Sequence, residues 1–240
     1  MSDLVIITGA SSGIGLALAR IVPFEAHVVD ISRSGPPDGE GIGHFAADLS
    51  SPPQWERVGR FLSELVSSHE PARAVLIHAA GTLSPIGFAG EVDSDAYAAN
   101  VVLNSASGQV IGHHFLAALR GRTGSFDLVM ITSGAASNVY PGWSAYGAGK
   151  AALDHWVRHA GAEQKLRGEA RVSAIAPGVV ATGMQRLIRE TPERDFPSVD
   201  RFQSLHDEGK LADPEAAALR IWETIESGLE PGSVVDVRTR

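Results

Sequence analysis

The chain of 240 residues has no cysteine. Disulfides, thiolate nucleophiles and cysteine-bound metals are therefore excluded from its chemistry. No apolar run approaches the ~20 residues that a membrane-spanning helix needs. The opening Met1-Ser2-Asp3-Leu4 shows no basic stretch ahead of a long apolar segment, so no secretory signal is expected. Positive charge is in deficit, with 20 Lys and Arg against 28 Asp and Glu and a net charge of −8. That balance disfavours broad binding to nucleic acid or to an anionic membrane surface, though it leaves room for a local basic pocket around a phosphate. His113-His114 has no third ligand at metal-binding spacing and reads as helix surface, so no metal site is expected. There is no internal repeat and no linker. These absences predict a soluble, cytoplasmic protein with no nucleic-acid or membrane partner.

Hydrophobic residues make up 44% of the chain, enough for a full core, and charged residues 20%. Short apolar runs predict strands at 4–8, 27–31, 45–48, 74–78, 126–132, 171–176 and 234–237. Helical spacing predicts helices at 13–22, 53–67, 93–103, 105–120, 146–166, 184–190 and 214–227. Strands that are apolar on both faces and alternate with helices imply an α/β fold, a Rossmann-type doubly wound parallel sheet in a single domain. The segment 191–210 is polar, proline-bearing and poorly periodic. A substrate lid over about 183–212 is expected there, with a plain surface loop as the alternative.

Between the first strand and first helix lies Thr8-Gly9-Ala10-Ser11-Ser12-Gly13-Ile14-Gly15. Glycines permit a tight turn and the close approach of a pyrophosphate, and a helix N-terminus supplies free N–H groups to it. Gly9, Ser11, Ser12, Gly13, Ile14 and Gly15 are thus candidate cofactor residues. The second strand ends in Asp30-Ile31-Ser32-Arg33. An acid here would bind the ribose hydroxyls of NAD, and an arginine the 2′-phosphate of NADP. Asp30 lies within the strand and Arg33 at its exit, which favours NADP(H).

Tyr146-Gly147-Ala148-Gly149-Lys150 opens a helix and sets the phenol and the ammonium one turn apart. An ammonium near a phenol lowers the phenol's pKa, making Tyr146 a general acid for a carbonyl oxygen. The TGxxxGxG run, the YxxxK pair, Ser133 thirteen residues before Tyr146, Asp48-Leu49, Asn100 and Pro177-Gly178 with Thr182 together resemble the short-chain dehydrogenase/reductase family. The resemblance runs along almost the whole chain. It implies that Tyr146 donates the proton, that Lys150 holds the nicotinamide ribose, that Ser133 binds the substrate carbonyl and that Asn100 holds a water in the proton relay. Asp48 and Leu49 would flank the adenine, Ala80 and Gly81 would back the cofactor, and Pro177, Gly178, Val180 and Thr182 would wrap the nicotinamide. His78-Ala79-Ala80-Gly81 departs from the Asn-Asn-Ala-Gly common in the family, and His78 reads as a packed residue.

Gly142 to Ala152, Thr182 to Gln185 and Gly232 to Asp236 are similar to the sepiapterin and benzil reductase branch of that family. The branch implies NADPH-dependent reduction of a vicinal dicarbonyl or of a pterin side-chain ketone. Asp236 would anchor a pterin through paired, charge-assisted hydrogen bonds, and Trp143, Leu83 and Met184 would wall the pocket. The partner is then a small carbonyl compound. The apolar stretch 105–119 would pack between subunits of a homodimer or homotetramer. The competing reading is a non-catalytic protein that senses NADP(H). A nucleotide-sugar epimerase, which also uses a Tyr-Lys pair, fits the glycine spacing and chain length poorly.

Overall fold

Successive side chains of β1 (Asp3–Thr8) leave on opposite faces, and this alternation builds the two halves of the molecule. The computed structural model describes residues 3–238. β1 sits at the centre of a parallel sheet with β2 (Ala26–Ser32), β3 (Gly43–Ala46), β4 (Arg73–His78), β5 (Ser125–Ile131), β6 (Arg171–Ala176) and β7 (Val234–Asp236). The strand order is β3-β2-β1-β4-β5-β6-β7. Leu4 and Ile6 point with Leu76, Leu128 and Met130 into a core closed by α2 (Trp55–His69), α4 (Ser107–Leu119) and α5 (Ser144–Arg167). Val5 and Ile7, one residue out of step, point with Val75, Ile77 and Val129 toward α1 (Gly13–Arg20) and α8 (Pro214–Glu226). Both faces are covered, which is why the strands read as continuous apolar runs. On the second face Trp222 of α8 is 1% exposed, and its N–H donates to the Leu18 carbonyl at 3.0 Å.

The doubly wound sheet is as expected, with three differences of detail. The helices predicted over 93–103 and 105–120 form one rod: α3 (Ser94–Val101), a π turn (Val102–Ala106) and α4. No glycine or proline interrupts residues 94–107, so an extra residue is absorbed as a wide turn instead of a break. The third strand starts at Gly43, and Ala47 adds one further hydrogen bond to the Ser32 carbonyl before the chain turns at Asp48. The segment 191–210, unpredictable from periodicity, contains α7 (Val199–Asp207) beyond α6 (Gly183–Glu190).

One apolar side of α4 serves the core of the chain itself. Ile111, Phe115 and Leu119 are fully buried against α2 and the sheet. His114 packs on Gly59 of α2, while His113 is exposed. Among the described residues no helix is long and apolar enough to cross a membrane.

Strand order reverses between β1 and β4, so the loops leaving their C-terminal ends part. A crevice opens there, the place where parallel α/β sheets take their ligands.

Candidate active site

The crevice is a cleft of about 450 Å³. Its floor is the glycine turn after β1. Gly9 has φ +77°, and a Cβ on it would lie 2.9 Å from Ala80 Cα, while a Cβ on Gly15 would collide with the Gly9 carbonyl. The turn after β1 is thereby pressed against the turn after β4, at a closeness only glycine permits. α1 starts from an extended Ser12 with no side chain capping it. The N–H groups of its first turn are left for an anion, and Ser11, Ser12, Gly13, Ile14 and Gly15 all line the cleft.

Asp30 braces this turn from below. It is fully buried and accepts from the Ala10 N–H at 2.7 Å, the Ser32 hydroxyl at 2.5 Å and His44 Nδ1 at 3.0 Å. Its capacity is taken up inside the protein, so it is not offered to a ribose. The cleft wall beyond it is Ser32, Arg33, Ser34, Ala47, Asp48 and Leu49, with Arg33 as the cation. Hydrogen bonds from Ser50 hold the Asp48 carboxyl below its ordinary range, against the cost of burial, and the Arg33 charge adds to the effect.

At the other end of the cleft, α5 presents Tyr146 and Lys150 on one face, 8% and 4% exposed. Ser133, leaving β5, caps a short 3₁₀ turn through the Ala135 N–H at 3.1 Å, and it lines the cleft beside the Tyr146 phenol. Lys150 Nζ donates to the Ile131 carbonyl at 2.9 Å and lies 5.9 Å from the centre of the Tyr146 ring. Burial pushes the Lys150 ammonium down to about 8, opposed by the Asp154 charge one turn further along α5. Burial also pushes the Tyr146 phenol up, opposed by the nearby Ser133 hydroxyl. Lysine was expected to lower the phenol's pKa, but the shift is upward and its causes are burial and Ser133, not Lys150. The phenol stays protonated, which suits a proton donor.

Asn100 is not brought to the cleft. Its amide donates to the Ser84 carbonyl at 2.9 Å and the Thr82 carbonyl at 3.3 Å, and its side-chain oxygen accepts from Asn104 at 2.8 Å. Asn104, in the π turn, is also bonded inward, accepting from the Thr82 N–H at 3.2 Å and donating to the Thr82 carbonyl at 2.7 Å, but it lies nearer the reacting pair. A Cβ on Gly81 would stand 2.9 Å from Asn104 Oδ1 and 3.6 Å from Lys150 Nζ, so both groups border the space above Gly81. In the sequence the two asparagines share one helical face at i and i+4, and only the π turn separates their roles. His78, as expected, is packed. It is fully buried, bonded through Nδ1 to Thr8 Oγ1 at 2.9 Å, and held neutral with a pKa of about 3 by its burial and by the Lys150 charge.

Beyond Tyr146 lies an aromatic box. Trp143 stacks on Phe196 at 4.5 Å, meets Tyr146 edge-on at 5.6 Å, and packs with Tyr140 at 5.0 Å and Phe202 at 5.4 Å. Its indole N–H is buried with no acceptor. Leu83 and Met184 line the cleft with Trp143, and α6 and α7 add Gln185, Ile188, Arg201 and Phe202. Ala80, Gly81, Pro177, Gly178, Val180 and Thr182 complete the wall. Asp236 does not line it. Its carboxylate is held by the Arg238 guanidinium at 2.6 and 2.9 Å and by the Arg238 N–H at 2.9 Å, and Arg238 lines the cleft in its place. Sequence reasoning missed Tyr140, Arg201, Phe202 and Arg238, whose neighbours in space are remote in the chain.

A cleft at the switch point of a parallel sheet, running from an uncapped helix N-terminus to a buried tyrosine–lysine pair, is the arrangement of a nicotinamide-dependent oxidoreductase. The sequence pattern of the short chain dehydrogenase family matches residues 3–193, and the chain belongs to that family. It is 33% identical over 240 residues to a benzil reductase ((S)-benzoin forming) of Bacillus subtilis (strain 168), covering 98% of each chain. It is 32% identical over 179 residues to the sepiapterin reductase of Rattus norvegicus, covering 73% of this chain and 67% of that one. Among solved structures, the KRED1-Pglu enzyme superposes with a TM-score of 0.83 at 28% identity, covering 98% of this chain and 100% of that one.

Proposed function

We propose that the chain is an NADPH-dependent reductase of a small ketone, a vicinal dicarbonyl with an aromatic body. The observation that carries this reading is the Ser133–Tyr146 pair opening directly onto the Trp143 box. When bound, the cofactor supplies the hydride. The residues of the chain do the rest. Ser133 and Tyr146 hold the carbonyl oxygen, and Tyr146 gives its phenolic proton to that oxygen. Lys150 keeps a positive charge beside the phenol as it becomes anionic, and Asn104 borders the polar space above Gly81 through which a proton can be returned. The likeness to the Bacillus subtilis benzil reductase, which spans both chains nearly end to end, supports the substrate class.

Arg33 at the mouth of the ribose subsite and the internal commitment of Asp30 support NADPH over NADH. The pterin reading is less well supported, because Asp236 is neutralised by Arg238 and stands off the cleft wall. The test is a steady-state assay with NADPH or NADH against benzil or sepiapterin. Turnover of benzil with NADPH, at least tenfold faster than with NADH in kcat/KM, is expected. Tight NADPH binding without turnover of any ketone would favour the sensor reading instead.

A further inference from the structure

The cleft is basic although the chain is acidic. Arg33, Lys150, Arg201 and Arg238 line it, against the single carboxylate of Asp48. Arg33 and Lys150 belong to the cofactor's portion of the cleft. Arg238 is neutralised by its bidentate contact with Asp236. Arg201, on α7, is different. Its guanidinium donates to the Tyr140 hydroxyl at 3.0 Å and lies 5.8 Å from the centre of the Tyr140 ring. Among the described residues no carboxylate reaches it at ion-pair distance.

The phenol fixes this cation on the substrate side of the cleft, at the far end of the aromatic box. From Tyr146 the path to it runs over Trp143 (5.6 Å between rings) and Tyr140 (5.0 Å) before the guanidinium. A planar fork of donors at a fixed place is the arrangement that recognises a carboxylate or similar anion.

Resting on the function proposed above, we infer that the preferred substrate carries an anionic group remote from its reacting carbonyl. A planar aromatic body in the box separates the two, and the anion sits on Arg201. A 2-oxo acid does not meet this description, since its carboxylate adjoins the reducible carbonyl and would lie at Tyr146. The aryl ring rests against Trp143 and Phe202, the ketone oxygen reaches Ser133 and Tyr146, and the anion reaches the guanidinium. Arg201 is exposed, so its contribution is screened and moderate.

The experiment compares 4-carboxybenzil with its methyl ester, which has the same aromatic body without the charge. With the native protein and NADPH, kcat/KM is expected to favour the acid by about tenfold, equal to about 1.4 kcal/mol. Arg201→Gln should bring that ratio close to one, and Arg201→Lys should retain part of it. The native ratio should also fall as ionic strength is raised from roughly 20 to 300 mM, a readout that does not depend on any variant folding. Equal use of acid and ester by the native protein, or a ratio unmoved by Arg201→Gln or by salt, overturns the inference and leaves the reductase reading standing. If neither compound nor benzil is reduced, the reductase reading fails and the inference falls with it.

Discussion

Single residues decide the chemistry of the cleft through what surrounds them. Lys150 is cationic in water across the physiological range, but burial brings it down to about 8. As the pH rises through that value the cleft loses the charge that supports the Tyr146 phenolate, so kcat/KM for reduction should fall above pH ~8, as a pH–rate profile would show. The same shift acts on stability with a definite sign. The folded chain releases this proton before the unfolded chain does, so the Lys150 contribution to stability rises between about 8 and the ordinary lysine value. The proposed preference for NADPH rests on Arg33. Arg33→Ala should raise KM for NADPH roughly tenfold or more and leave KM for NADH within about twofold, because only one cofactor carries the 2′-phosphate that gives a charge-assisted hydrogen bond. Asp30 illustrates how a residue's type can mislead. An acid at the end of the second strand suggests a ribose ligand, yet all its visible capacity goes to Ala10, Ser32 and His44.

At the scale of elements, the strands were legible as short continuous apolar runs buried on both faces, and α1, α2, α5 and α8 because each buries a periodic apolar face. What was not legible has a physical reason in each case. The rod from Ser94 to Leu119 was read as two helices since its apolar pattern shifts phase at the π turn, and that shift transfers the polar position beside Lys150 from Asn100 to Asn104. α7 has nine residues and buries Val199 and Phe202 against rings from Tyr140, Trp143 and Phe196, partners that no local pattern reveals. The Arg238 guanidinium takes Asp236 out of the cleft from two residues away, a choice of rotamer and not of sequence spacing. α8 is anchored on the face away from the reacting pair by Trp222. Trp222→Ala should cost about 3–5 kcal/mol and lower Tm by roughly 6–20 °C, given ~2–4 °C per kcal/mol for a domain of this size. Thermal denaturation followed by circular dichroism measures it, and a change of only a degree or two would show that α8 is held by other contacts.

The whole molecule is an acidic body with a basic cleft at the switch point of its sheet. The cofactor subsite is built from the ends of β1, β2, β4, β5 and β6, so binding there should stabilise the entire sheet and not one lobe of it. At a hundredfold excess of cofactor over its Kd the gain is about 2.7 kcal/mol. At equal concentrations NADPH should therefore raise Tm by several degrees more than NADH, and added salt should narrow the gap. The central claim is that a proton leaves Tyr146 for a ketone oxygen at the end of this cleft. It is tested most directly by NADPH oxidation with benzil in the native protein and in Tyr146→Phe, alongside NADPH binding followed by fluorescence. The account predicts a loss of turnover of roughly 10²–10⁴-fold with cofactor affinity within about threefold of native. Turnover by Tyr146→Phe close to the native rate would contradict it.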